Sequence, residues 1–586
     1  MKILLTTLNA RFTHQNLALR YLKAYCQAAF SQIVVREFNI NQHLSFILGE
    51  LVEEHPDIIG FSCYIWNIEQ TLELVSNLRK IQPHLKIVLG GPEVSYEYEE
   101  RMQKHSEIDY VVVGEGEEAL LQLLYSLEAE KGERGSSAEF SLCTVPGLIY
   151  RQGDAIIANP TRTLNIESIP LIYPEDHNLA ELKQKIVYYE TSRGCPYACD
   201  YCLSSRTGAV RYFPLERCKD ELTRLAKLGV EQIRFVDRTF NCNKERALDL
   251  LRFMLELDTK TRFQLEMSGD LVTNEMIDLL KQAPVNRFQF EIGVQSTHQP
   301  TLERVNRSTD LEKLASVVWQ LKKQTKVRFL LDLIAGLPQE GFTRFGESFN
   351  FVYNLQPTKI QLGFLKLLRG SSLRERALEF GCVYTAKAPY EVLQTDCLTF
   401  EELAQLKVID QLVDILVNSG RFSRSLQYLQ LRDGCTPFML FNRLATLWKE
   451  HDYHGVPHGI FRVYELLWEL IGNDDAAFKE MLRLDFRLHE NKRSTPVWLG
   501  GSLNRNLEHY VIRQGIVAKY LPELNELSAR EVSKYIMVES FDYQVYQETD
   551  GLPGCQRQHL LFYYPSPTVT RVFVLMDSEL VDAEWE

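Results

Sequence analysis

The first 125 residues or so switch repeatedly between short apolar runs and helical repeats, and this alternation constrains the fold more than any other feature of the chain. KILLTTL, SQIVVREFNI, DIIGFSCYI, KIVLGG and IDYVVVGEG read as strands. LALRYLKAYCQAAF, FILGELVEEH, IEQTLELVSNLRKIQ, a stretch near EYEERMQKH and EEALLQLLYSLEAE read as the helices between and after them. Strands alternating with helices of this length predict an α/β domain with a doubly wound parallel sheet. Such sheets bind ligands in the crevice beyond the carboxyl ends of the strands. The strand-end loops are therefore the candidate binding elements: Thr6 to Asn16, Gly60-Phe61-Ser62, Gly90-Gly91-Pro92-Glu93 and Gly114-Glu115-Gly116-Glu117.

A second series runs from about 185 to 375, with strands IVYYET, QIRFVD, FQLEMSG, RFQFEIGVQS, VRFLLDLIAG and KIQLGFLKL. Six βα units in succession suggest a partial (β/α)6 barrel. Between the two series, GLIYRQGDAIIANP reads as a hairpin turning at Gln152-Gly153-Asp154, preceded by an exposed loop at 130–140 and followed by a linker punctuated by Pro160, Pro170 and Pro174. From about 388 the pattern is mainly long helices: TFEELAQLKVIDQLVDILVNSG, CTPFMLFNRLATLWKEH, GIFRVYELLWELIG and DDAAFKEMLRLDF. YIMVESFDYQVYQ and HLLFYYPSPTVTRVFVLM form a β-rich end. The expected division is 1–175, 185–380 and 381–586, in keeping with the three to four domains that 586 residues suggest.

No run approaches the roughly 20 apolar residues of a membrane span, and the N-terminus lacks the long apolar core and cleavage site of a signal peptide. Twelve unevenly spaced cysteines in a chain of this length point to a reducing, cytoplasmic setting. A net charge of −13 argues against a broad nucleic-acid-binding surface. RLDFRLHENKR, Arg483 to Arg493, is either a local basic patch or, the reading favoured here, a solvated mixed-charge helix face.

Cys195, Cys199 and Cys202 form a C-x3-C-x2-C triplet in TSRGCPYACDYC. Three thiolates from one loop suit a metal centre. Zinc would want a fourth ligand close by, and the next cysteine, Cys218, is distant. A [4Fe–4S] cluster normally takes four cysteines, so three would leave one iron open to a ligand that is not protein. Cys382, Cys397, Cys435 and Cys555 have no metal-ligand spacing and read as incidental thiols.

The triplet, with Gly194 before it and Tyr201 inside it, resembles the signature of the radical S-adenosylmethionine (SAM) enzymes. The resemblance implies that SAM chelates the open iron through its amino and carboxylate groups. The later strands look like the branch that includes oxygen-independent coproporphyrinogen oxidase. By that match Glu266 in FQLEMSG faces the methionine amino group, and Gln295 in IGVQS the ribose hydroxyls. Arg307 of Val305-Asn306-Arg307 pairs with the methionine carboxylate, Asp332 in LDLIAGLP reaches the ribose, and Gly336 lies where the backbone approaches adenine. The residue types suit these tasks: a guanidinium pairs bidentately with a carboxylate, and glycine permits close approach to a flat base. Glu266 taken alone reads as an ordinary barrel residue. Asp237 and Asn241 in FVDRTFN match a motif of cobalamin-associated members.

GFSCYIWN, GGPEVS and IDYVVVGEGEEAL in that order resemble the cobalamin-binding domain placed ahead of many radical SAM domains. The resemblance implies cobalamin contacts from Thr6, Asn9, His14, Ser62, Tyr64, Trp66, Gly90, Gly91, Glu93, Gly114, Glu115 and Gly116. The D-x-H-x-x-G motif that ligates cobalt from below in other cobalamin domains is missing. His14 has the wrong spacing for that role and reads as a polar loop residue. Cobalamin is thus expected base-off with no protein histidine, its lower face met by Tyr64, Ile65 and Trp66, or these three simply pack in the core.

The combined resemblance is to cobalamin-dependent radical SAM enzymes with an uncharacterised helical C-terminal domain, APYEVLQTDCLTFEEL included. It implies a methyltransferase acting on an unactivated carbon through a 5′-deoxyadenosyl radical and methylcobalamin. The alternatives are a cyclase or rearrangement enzyme of the same class, and a corrinoid-binding sensor or carrier with a structural cluster. An external electron donor such as flavodoxin or ferredoxin is implied. Small-molecule, peptide and RNA substrates all stay open, and no acid–base residue stands out.

Overall fold

The computed structural model describes residues 1–130, 141–173, 182–183, 185–471, 474–490, 495–500, 505–546, 551–566 and 569–580. Of the loop expected at 130–140, residues 131–140 lie outside these, as does Pro174 of the expected linker. The chain divides into two compact units, Met1–Leu403 and Ala404–Glu586.

The first unit opens with β1 (Ile3–Asn9), α1 (Leu17–Cys26), β2 (Ile33–Asn39), α2 (Leu44–Glu53), β3 (Ile58–Ser62), α3 (Ile68–Ile81), β4 (Lys86–Gly90), α4 (Tyr98–Lys104), β5 (Tyr110–Val112) and α5 (Gly116–Glu130). These strands pair in parallel in the order β2-β1-β3-β4-β5. β1 and β3 are buried along their whole length, as a parallel sheet covered on both faces requires. The two-residue side-chain period sorts them into two cores. Leu4, Leu8, Ile59 and Phe61 pack with α2 and α3. Ile3, Leu5, Ile58 and Val88 pack with α1 and α5. The expected hairpin forms, as β6 (Leu148–Gln152) and β7 (Ala155–Ala158), and it is more than a linker: β6 pairs antiparallel with β5 and extends the sheet.

The barrel strands are β8 (Ile186–Tyr189), β11 (Gln232–Phe235), β12 (Arg262–Met267), β13 (Phe288–Gln295), β14 (Arg328–Ala335) and β15 (Lys359–Phe364), with a small hairpin of β9 (Ser192–Arg193) and β10 (Arg211–Tyr212) after β8. All six barrel strands are parallel, each beside its predecessor, which gives the open barrel expected. The connecting helices are α6 (Leu215–Lys227), α7 (Lys244–Glu256), α8 (Asn274–Leu280), α9 (Gln299–Arg304), α10 (Leu311–Gln324) and α11 (Phe342–Asn354). Phe235, Phe263, Phe288 and Phe290 are fully buried on one side of the sheet. The alternate positions, such as Arg234, Glu266, Glu291 and Asp332, are partly exposed and form the polar lumen. Helix α12 (Ser372–Glu375) and the β16 (Val383–Tyr384) and β17 (Val392–Gln394) pair follow.

Helix α13 (Phe400–Leu412) enters the second unit, which contains α14 (Ser423–Asp433), α15 (Pro437–Glu450), α16 (Ile460–Ile471), α17 (Ala476–His489), α18 (Arg505–Arg513), α19 (Ile516–Tyr520) and α20 (Ala529–Tyr535). The β-rich end is an antiparallel sheet of β18 (Ile536–Phe541), β19 (Gln558–Ser566) and β20 (Val569–Leu575). One expectation fails here. The arginines of RLDFRLHENKR that lie on α17 are neither a basic patch nor a solvated face: Arg483 and Arg487 are buried and ion-paired with Glu539 of β18 at 3.1 and 2.5 Å. Burial of the apolar face of α17 carries these side chains inward, where Glu539 supplies the opposite charge that two buried guanidiniums need. Residues 491–494 of that stretch lie outside the described residues.

Candidate active site

The strand order reverses between β1 and β3, which places a crevice at their carboxyl ends. Asn67 holds its two walls together, donating to Thr7 Oγ1 (3.2 Å), Leu8 O (3.1 Å) and Ser62 O (3.1 Å). Asn16 caps α1 and lies 3.4 Å from Ser62 Oγ. Tyr64 and Trp66 stack in parallel at 4.4 Å, and Trp66 is 44% exposed. This flat aromatic shelf above a polar crevice is more than core packing, because a core tryptophan would be covered. Thr6 donates to Arg36 O at 2.8 Å, and Asn9 to Glu37 at 2.7 Å. His14 packs edge-on against Tyr188 of β8 at 5.7 Å, and burial with the charges of Arg11 and Arg234 pushes its pKa down.

Two carboxylates expected beside a cofactor are engaged by protein. Glu93 pairs with Arg101 at 3.2 Å and accepts from Tyr390. Glu115 pairs with Arg193 and Arg211 of the β9–β10 hairpin at 3.2 and 2.5 Å, and Arg193 also reaches Glu117 at 2.7 Å. These pairs tie the sheet's strand ends to the segment that leads into the cysteines. Gly91 is required by packing: a Cβ there would lie 2.5 Å from Cys63 O. Gly90, Gly114 and Gly116 leave the turns around it without bulk, Gly114 at a φ of +82°.

The cysteine loop is fixed from three directions. Buried Asp237, just beyond β11, accepts from Thr191 N (2.9 Å), Thr191 Oγ1 (2.6 Å) and Ser192 Oγ (2.6 Å). Asn241 exchanges two hydrogen bonds with the backbone of Ser268, whose hydroxyl lies 3.1 Å from Tyr197 Oη. The Val305-Asn306-Arg307 turn closes the third side: Asp200 N donates to Val305 O (3.0 Å) and Asn306 to Ala198 O (3.1 Å). Cys195, Cys199 and Cys202 are free thiols. Burial raises the Cys195 pKa, hydrogen bonds from Tyr197 and Thr239 oppose the rise, and the nearby Cys202 and Cys199 add to it. Among the described residues, no three His, Cys, Asp or Glu side chains converge as donors to a single metal ion.

The lumen beside this loop holds unsatisfied polar atoms. Gln295 Oε1, Arg307 Nε and Asp332 Oδ1 are buried without a hydrogen-bond partner. All three meet at Gly293, which pairs with Asp332 across the sheet. A Cβ on Gly293 would lie 2.2 Å from Gln295 Nε2 and 3.4 Å from Arg307 Nη2. Gln295 itself takes a φ of +69° at an irregularity in β13, a conformation costly for a non-glycine residue and typical of functional sites. Burial, then Glu291 and Glu266, push Asp332 up to about 7. Burial likewise raises Glu266. Below them Glu291 is satisfied by Arg234 (2.9 Å) and Gln264 (2.8 Å). Buried polar atoms are almost always paired, so a site with three orphans around one glycine is shaped for a polar ligand. Gly336 has a φ of +92° at the end of β14, on the same rim. Gly293, Asn67 and Arg193 escape sequence reading because their partners are remote or, for Gly293, because the signal is the room a side chain would fill.

A cobalamin-type sheet joined to a cysteine-loop barrel defines a class, and family models agree. The B12 binding domain matches residues 3–124, and the Radical SAM superfamily residues 189–352. The chain thus carries a B12-binding domain followed by a radical SAM domain. A third model, Protein of unknown function (DUF4080), matches residues 378–562. The chain is 23% identical to the cobalamin-dependent radical SAM methyltransferase TokK of Streptomyces tokunonensis, over 74% of this chain and 64% of that one. It is 29% identical to the 2-(S-pantetheinyl)-carbapenam-3-carboxylate methyltransferase of Streptantibioticus cattleyicolor, over 35% and 30%. The chain thus spans less than two thirds of either relative. Among solved structures, TsrM from Kitasatospora setae superposes with a TM-score of 0.54 at 18% identity, over 66% of this chain and 76% of that one. OxsB superposes at 0.51 and 17%, over 89% and 75%. Both likenesses are of fold.

Proposed function

We propose that this protein is a cobalamin-dependent radical SAM methyltransferase acting on an unactivated carbon. The observation that carries the reading is the trio of orphaned buried atoms on Gln295, Arg307 and Asp332 around Gly293, beside three free cysteines. In this reading Cys195, Cys199 and Cys202 hold a [4Fe–4S] cluster, and Glu266, Gln295, Arg307, Asp332 and Gly336 hold SAM. Thr6, Asn9, Ser62, Tyr64 and Trp66 line the cobalamin crevice, Gly90, Gly91, Gly114 and Gly116 shape its rim, and Glu93 and Glu115 fix its loops. When bound, these groups supply a reductively generated 5′-deoxyadenosyl radical and a transferable methyl group.

The chain's own residues bind and orient. Arg307 offers a guanidinium to the methionine carboxylate. Asp332, held protonated to about pH 7, offers either a donor or an acceptor to a ribose hydroxyl. The stacked Tyr64–Trp66 pair would offer aromatic carbon to a bound cobalamin, and His14 packs against Tyr188. Residues 1–175 would serve cobalamin, 185–380 SAM, and 381–586 the substrate. The names of the relatives TokK and carbapenam methyltransferase support methyl transfer. A cytoplasmic location and a flavodoxin- or ferredoxin-type electron donor belong to the same proposal; no helix among the described residues is long and apolar enough to cross a membrane. Anaerobic reconstitution with reductant and methyl-deuterated SAM tests it: 5′-deoxyadenosine with label in a product supports methylation, 5′-deoxyadenosine without label points to cyclisation, and no SAM cleavage leaves a sensor or carrier.

A further inference from the structure

Arg238 lies in the turn after β11, next to residues that touch the cysteine loop, and none of the contacts described above uses its side chain. Burial alternates through the turn after β11: Phe235, Asp237 and Thr239 are buried, whereas Arg234, Val236 and Arg238 are not. Asp237 and Thr239 face the cysteine loop, Asp237 through its bonds to Thr191 and Ser192 and Thr239 at 3.9 Å from Cys195 Sγ. Arg238 is exposed in this turn, at the carboxyl-end mouth of the barrel. Its charge acts on the Glu266 carboxyl of β12 and on the Tyr64 hydroxyl of the aromatic shelf, favouring ionisation of both. Among the described residues its guanidinium has no hydrogen bond or ion pair, in contrast to Arg193, Arg211, Arg234 and Arg246 nearby.

We infer that Arg238 anchors a carboxylate or phosphate group of a small-molecule substrate at the junction of the SAM lumen and the cobalamin crevice. This rests on the function proposed above. An exposed guanidinium at the barrel mouth with no protein partner is matched to a planar or tetrahedral oxyanion. A single such cation suits one oxyanion. A polyanion such as RNA would call for a run of cations, and the net charge of this chain is −13. The anchor would also set direction: with its anion at Arg238, the rest of the substrate extends between Glu266 and the Tyr64–Trp66 shelf, where the reacting carbon must lie.

The test uses the reconstituted full-length enzyme with methyl-deuterated SAM, reductant and an ultrafiltered host extract split on an anion-exchange column. Label is expected in a product from the retained fraction. Phosphatase pretreatment abolishes that product if the anchor group is a phosphate and spares it if a carboxylate. Arg238→Gln should raise KM for the purified acceptor by about tenfold or more, the loss of a charge-assisted hydrogen bond, and Arg238→Lys should recover part of it. A readout without cofactors accompanies this: inorganic phosphate or succinate should slow phenylglyoxal labelling of Arg238, followed by peptide mass spectrometry. Label arising only from the unretained fraction or only in macromolecules, an unchanged KM in Arg238→Gln, or labelling of Arg238 indifferent to both anions would overturn the inference. Failure of the parent reading looks different, since wild-type protein would then form no 5′-deoxyadenosine with any fraction.

Discussion

Tyr390 donates a 2.6 Å hydrogen bond to the buried carboxylate of Glu93. The bond links the segment after the last barrel strand to the turn after β4 of the N-terminal sheet. Around it Arg369 contacts Glu97 and lies 2.9 Å from Tyr390 Oη, Arg374 pairs with Glu97 at 2.9 Å, and Gly370 meets the Tyr96 ring so closely that a Cβ would lie 2.2 Å from it. Sheet and barrel are therefore one mechanical body within the first unit, and the crevice is registered against the lumen.

Tyr390→Phe removes that bond and leaves a buried carboxylate short of a donor, at a cost of about 1.5–3 kcal/mol. Because the Tyr390 bond opposes the effect of burial on Glu93, the Glu93 pKa should rise further. A lower urea midpoint for the cofactor-free protein is expected; an unchanged midpoint would show that Arg101 and Arg369 suffice.

Two glycine substitutions should separate scaffold from site. In Gly91→Ala the new methyl meets backbone, 2.5 Å from Cys63 O, at a φ of +105°, so the sheet must shift, and a loss of several kcal/mol is expected. In Gly293→Ala it meets the tip of the flexible Gln295 side chain, which can swing away. Thermal unfolding should then change little, while SAM affinity, measured by equilibrium dialysis, falls by about tenfold. Equal stability losses in the two variants would contradict the assignment.

Asp332 gives a pH dependence of defined sign. Its folded carboxyl keeps a proton to about 7, whereas the unfolded chain releases it near the ordinary value of 3.8. Between these values the folded state binds more protons, so this contribution to stability is fully present below the lower pKa and is lost as pH rises through the higher one. Urea midpoints of the cofactor-free protein should fall from about pH 4 to about pH 7, and fall less in Asp332→Asn. Parallel profiles for the two proteins would sink the idea.

In the second unit, Glu539→Ala removes the buried carboxylate that pairs with both Arg483 and Arg487. Removing one member of a buried ion pair costs about 3–5 kcal/mol. The expected result is a large drop in the urea midpoint of the transition that reports β18–β20, with Glu539→Gln intermediate.

The sheet and barrel were legible because apolar period switches with each element, and strand order follows from short crossovers. The cysteines stood out by their local spacing and Gln295, Arg307 and Asp332 by resemblance to family motifs, and the structure sets these last three around Gly293. What escaped depends on contacts remote in sequence. RLDFRLHENKR looked exposed because Glu539 lies 52 residues beyond Arg487. Glu93 and Glu115 looked ligand-facing because Tyr390, Arg193 and Arg211 come from the barrel side. Helix Ser423–Asp433 carries Ser, Arg, Gln and Asp around few apolar positions, so its period is faint. The hairpin's place in the sheet was hidden because pairing of β6 with β5 spans the α5 helix.

In the proposed reading, the orphaned polar trio and the three cysteines form one SAM-cleaving centre. The most direct measurement is 5′-deoxyadenosine by mass spectrometry after anaerobic incubation of the iron- and sulfide-reconstituted protein with SAM and reductant. Wild-type protein should form it, Cys195→Ala should not, and Arg307→Gln should need far more SAM to do so. Wild-type formation no higher than that of Cys195→Ala would mean that these residues do not form such a centre.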